Sequence, residues 1–122
     1  MGFLKNLGFA LPTGTGGKGY RAHVQGNQLS DQGKPEEARK KHEEALKYYE
    51  QATQEGKMTV SYLMAYGVLL LRMKQFDKAK EIFLKAEHDK RITKEERRQL
   101  RLNFAVCQWK LGHLDSAIEQ LK

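Results

Sequence analysis

The chain is short of the features that would mark a secreted, membrane-spanning or disulfide-built protein. It has one cysteine, Cys107, in 122 residues, which excludes an intrachain disulfide framework and fits a reducing compartment. No apolar run reaches the ~20 residues of a membrane span; the longest apolar-rich stretch, Val60 to Met73, has the length of a buried core helix. Met1 to Leu11 carries a single Lys5 and is cut by Gly2 and Gly8, with Pro12 following, so it lacks the basic start and unbroken apolar run of an export signal. A cytoplasmic location is expected. The only prolines are Pro12 and Pro35, which leaves the rest of the chain free to form helix.

Catalytic and metal chemistry are equally thin. His23, His42, His88 and His113 are scattered, with no pair at the i, i+4 spacing by which one helix face grips a metal. The acidic pairs Glu36-Glu37, Glu43-Glu44 and Glu95-Glu96 alternate with Arg39, Lys40, Lys41, Arg97 and Arg98, the pattern of solvated helix faces. Cys107 shares a stripe with Leu100, Phe104 and Leu111, which makes it a core residue rather than a nucleophile. The glycine-rich segment Gly14 to Gly19 lacks the preceding strand, the first glycine and the Ser or Thr of a phosphate-binding loop, and reads as a flexible connector. The chain is expected to be no enzyme and to need no cofactor.

What is present is a repeat. Three segments align: Gly33 to Ala38, Lys74 to Ala79 and Gly112 to Ala117, each a turn entering a helix. Twelve residues before each alanine stands another small residue, Gly26, Gly67 and Ala105. Small residues at a fixed distance on both sides of a turn let two antiparallel helices approach closely where they cross. These six positions resemble the tetratricopeptide repeat family, and the resemblance runs from about Tyr20 to Lys122. The spacing departs from the family's 34 residues, at 41 between the first two alanines and 38 between the second and third. Longer helices account for this: one from Pro35 to a stop at Gly56, and one opened by the Thr93/Glu96 capping box and ended by Gly112. At the family's tryptophan-like position stand Ala22, Leu63 and Arg101, and at its large apolar position His42, Phe83 and Leu121.

The resemblance implies an all-α fold, a right-handed stack of antiparallel helical hairpins with about six helices. The expected organisation is an apolar tail and glycine-rich linker over residues 1–19, then one repeat domain over 20–122, with repeats near 20–57, 58–92 and 93–122. The first helix, with Gln25, Asn27, Gln28, Ser30 and Asp31, suits a solvent-facing cap. The last, with Ile118 and Leu121, leaves apolar groups in need of cover, by self-association or by further helices of a longer chain. The tail's Phe3, Leu4, Leu7, Phe9 and Leu11 are read first as docking on the repeats and second as lying on a membrane surface.

In function, the resemblance implies a protein-interaction scaffold whose concave side is lined by the first helix of each repeat. There the sequence puts Met64, Val68 and Leu71, then Leu102, Val106 and Trp109, with His23, Asn27 and Arg72 as a polar rim. Two readings stay open: these apolar residues are core, or they form a groove for a helical or extended apolar peptide. The family's clamp for chaperone C-terminal carboxylates is not expected, because the matching positions are His23, Asn27, Ala65, Gln99 and Asn103, with too few cations. A basic patch, Lys90, Arg91, Lys94, Arg97, Arg98 and Arg101, carries much of the net charge of +7. It leaves a nucleic-acid-associated protein as the alternative, weakened by Glu95 and Glu96 and by the absence of interleaved aromatics.

Overall fold

The computed structural model describes residues 14–112 and 121; the N-terminal tail, and the last helix apart from Leu121, lie outside the described residues. Every described element is helical: α1 (Gly14–Asp31), α2 (Pro35–Gln54), α3 (Val60–Arg72), α4 (Phe76–Glu87) and α5 (Lys94–Lys110). The expectation of about six helices thus meets five in the described part. The chain divides into two compact units, Met1–Met58 and Thr59–Lys122.

The aligned turns share one backbone solution. Gly33 and Gly112 have φ of +76° and +83°, and Lys74, which takes the glycine's place in the second turn, has φ 63°. Pro35 stands in the first turn of α2, where its fixed φ and missing N–H cost nothing. At α5 both halves of the capping box form: Glu96 N–H donates to Thr93 Oγ1 at 3.1 Å and Thr93 N–H to Glu96 Oε1 at 2.9 Å. Thr59 caps α3 by the side-chain half alone, accepting from Tyr62 N–H at 3.1 Å.

In the first unit α1 and α2 form an antiparallel hairpin. Its interior is built from Ala22, His23 and Gly26 on one side and Ala38, His42, Ala45, Tyr49 and Ala52 on the other. The connector expected over Gly14 to Gly19 is instead the first turn and a half of α1, with Gly16, Gly17 and Gly19 buried. The cause lies across the hairpin: a Cβ on Gly19 would come within 2.8 Å of the Tyr49 ring, so glycine is what lets the helix pass. The outer face of α2 carries the ion pairs Arg39–Glu36, Arg39–Glu43 and Lys41–Glu44 at 2.9, 3.2 and 3.3 Å, a solvated face.

In the second unit α3 and α4 form the next hairpin and α5 packs on both. Leu63, Tyr66, Leu69 and Leu70 of α3 meet Ala79, Ile82, Phe83 and Ala86 of α4, and Leu100, Phe104 and Cys107 of α5 close the core. Phe83 and Phe104 meet edge to face, with ring centroids 6.0 Å apart, a geometry favoured by the ring quadrupoles.

Candidate interaction surface

The polarity of the hairpin interiors decides which side chains remain for function. A Cβ on Gly67 would lie 2.3 Å from Phe83 Cε1, and one on Gly26 would lie 2.4 Å from His42 Cδ2. Phe83 and His42 are thus the same structural part, a ring seated against the small residue of the opposite helix. A buried imidazole needs partners where phenyl needs none. His42 Nε2 donates to Asn27 Oδ1 at 3.0 Å, and His23 Nδ1 shares a hydrogen bond of 3.0 Å with the Tyr49 hydroxyl. The His23 ring stands edge-on to both His42 and Tyr49.

His23 and Asn27 are therefore engaged inside the first hairpin, His23 buried and Asn27 half-buried, where rim groups had been expected. Four scattered histidines in the sequence hid this cluster. The usable signal was mirror symmetry: positions 23 and 42, like 19 and 49, lie at comparable distances on the two sides of the Gly33 turn. An open cavity of about 250 Å³ on the same hairpin gathers Lys18, Arg21, Ala22, Gln25, Glu44 and Tyr48, charges of both signs with no single preference.

The second unit differs. On α3, Leu63, Tyr66 and Leu70 face the core, Met64 and Leu71 are half-buried, and Val68 is 42% exposed. On α5, Leu102, Val106 and Trp109 are 47%, 39% and 59% exposed, at the i, i+4, i+7 spacing of a single helix face. The two helices are neighbours, and Ser61 Oγ at the start of α3 donates to Glu96 Oε2 at the start of α5 at 3.3 Å, so their N-terminal ends lie together. Isolated exposed apolar residues need no explanation, but a run along one helix face does. Asn103 Nδ2, two turns on from Glu96, is buried without a hydrogen-bond partner among the described residues. At two of the positions that match the family's carboxylate clamp, which was not expected here, Ala65 is half-buried and Gln99 exposed.

All six basic-patch residues, Lys90, Arg91, Lys94, Arg97, Arg98 and Arg101, are exposed. Arg91 brackets Asp89 through Nε at 3.0 Å and Nη2 at 2.7 Å. The guanidinium and the Arg91 backbone N–H hold the Asp89 carboxyl down at about 2. Arg98 reaches Glu95 at 3.8 Å, both side chains well exposed, a contact worth little in water. Glu96 is held below the usual carboxylate range by the Thr93 backbone N–H, with help from the Thr93 and Ser61 hydroxyls. Cys107 is fully buried, as its stripe implies, and burial pushes its thiol up to about 11, so it stays protonated and unreactive. Among the described residues no three His, Cys, Asp or Glu side chains converge as a metal site would require, and no helix is long and apolar enough to cross a membrane.

These features define a helical-hairpin repeat with exposed apolar residues on α3 and α5. Residues 60–87, which are α3 and α4, match the tetratricopeptide repeat family, and this hairpin is a repeat of that type. Repeats of the family are typically non-catalytic scaffolds for protein–protein interaction. No significant match to the chain was found among curated proteins or solved structures.

Proposed function

We propose that the chain is a protein-interaction module whose second unit binds an apolar segment of another protein across α3 and α5. The observation that carries this is the exposure of Val68 on α3 and of Leu102, Val106 and Trp109 on α5, two helices that pack on one another. It favours a groove over a closed core. Trp109 supplies a large rigid contact area with an indole N–H, and Met64 at the edge supplies adaptability. Arg72, exposed one turn beyond Val68, is the rim group of this face.

The test is Val68→Glu combined with peptides selected by display against the whole chain. A charge at an exposed position changes stability by no more than about 0.5 kcal/mol, so the variant should melt with the parent. It should also lose the selected peptides, which in the parent shift the emission of Trp109, the only tryptophan. If Val68→Glu unfolds the chain, the residue is core and the groove reading fails; if it binds the same peptides unchanged, the face is not the site. The exposure of the basic patch keeps one alternative, a nucleic-acid-associated protein, whose mark would be affinity for RNA or DNA that falls steeply with salt.

A further inference from the structure

Resting on the reading of the α3–α5 face as a docking site, we propose that its partner is an acidic amphipathic helix. Charge on α5 leads there. Five cations, Lys94, Arg97, Arg98, Arg101 and Lys110, share the helix with two carboxylates. Glu96 is spent on the cap and on Ser61, and Glu95 is loosely opposed to Arg98. Cations near a helix C-terminus complement the backbone dipole, which accounts for Lys110 on α5 and Arg72 on α3. Cations in the first turn of a helix oppose the dipole, so Lys94 and Arg97 are not explained by it, and Arg98 has only its 3.8 Å contact to the exposed Glu95. Lys94, Arg97 and Arg101 meet no carboxylate among the described residues. Arg98 stands one turn before Leu102 on the apolar stripe itself, and at the other end Lys110 Nζ lies 4.7 Å from the centroid of the Trp109 ring. The stripe is bounded by positive charge at both ends.

The form of the partner follows from what the face lacks. The backbone of both helices is internally hydrogen-bonded, and the face offers no strand edge to extend. An extended peptide laid on apolar side chains would have its own N–H and C=O groups desolvated without partners, at a cost that a helix avoids. The distance from Leu102 to Trp109 is two helical turns, ~10 Å, the span of an i, i+3, i+7 set of anchors on a docked helix. Nucleic acid fits less well, since Trp109 is the one exposed aromatic on this face and Val68, Leu102 and Val106 offer bases no stacking platform.

The experiment uses the full chain and two synthetic helices of about four turns, identical in a leucine stripe on an Ala/Gln scaffold, one flanked by Glu and the other by Lys. Trp109 emission is followed at low and high salt. The Glu helix should bind with a blue shift and weaken markedly with salt, and the Lys helix should bind at least about tenfold more weakly. Arg98→Glu/Arg101→Glu, checked for unchanged helicity, should invert that preference. Equal binding of both helices would overturn the acidic partner and leave the apolar docking face standing. No emission shift with either would overturn both. Displacement of the Glu helix by single-stranded RNA at lower concentration would assign the cations to nucleic acid and overturn the proposal.

Discussion

Replacing Gly67 by alanine measures how tightly the second hairpin is closed. The new Cβ would sit 2.3, 2.6 and 2.7 Å from three carbons of the Phe83 ring, where carbon–carbon contacts settle at about 3.5–4.0 Å. The ring must retreat by roughly 1 Å to restore ordinary contact. It has nowhere to go, because Phe83 is fully buried and abuts Phe104 edge-on. Overpacking of this kind costs about 1–3 kcal/mol or more, against which alanine regains about 1 kcal/mol of helix propensity over glycine. The expected net loss is about 1–2 kcal/mol, a fall of roughly 4–10 °C in melting temperature for a domain of this size, read by thermal and urea unfolding. Adding Phe83→Leu should return part of the loss, because the two substitutions act on one contact. A Gly67→Ala chain as stable as its parent would mean that α3 and α4 cross elsewhere, and the alignment of the repeats on their small residues would be wrong.

Two further outcomes are expected. Lys74→Gly relieves a non-glycine residue from φ 63° and should raise stability by up to about 1 kcal/mol, glycine's extra chain entropy offsetting part of the gain; a lower urea midpoint would count against a left-handed Lys74. Asp89, brought down to about 2 chiefly by the Arg91 side chain, favours the folded form above the ordinary aspartate range and ceases to do so as pH falls toward 2. By NMR its carboxyl should titrate near that value and return to the usual range, near 4, in Arg91→Ala; an unmoved midpoint would refute the bracket.

Much of the repeat was legible because its signals are local. Turn residues, Pro35, the Thr93/Glu96 cap and the paired small residues all act within a few positions of where they stand. What the sequence hid depends on partners far along the chain. Gly14 to Gly19 has no side chains to carry a helical period, and the reason for its helix is Tyr49 on the facing element. His23 and His42 look unrelated until the hairpin closes. Helix α3, apolar nearly all round, does not reveal that Val68 is outside while Leu69 and Leu70 are inside; that division is set by α4 and α5. The family resemblance pointed to Val68, Leu102, Val106 and Trp109, and the structure gives their exposure.

The two hairpins together explain why the apolar surface appears on α3 and not on α1. In each, a ring from the second helix fills the space left by the small residue of the first, and the next residue along the first helix stands beside that space. Where the ring is His42, the next residue is Asn27, and its carboxamide is drawn inward to accept the imidazole proton. Where the ring is Phe83, the ring itself needs no polar partner, and the next residue, Val68, points out with 42% of its surface exposed. The equivalent residue of α5, Val106, follows Ala105 and is likewise exposed. An imidazole at this buried position thus goes with an inward-turned polar neighbour, and a phenyl with an exposed apolar one.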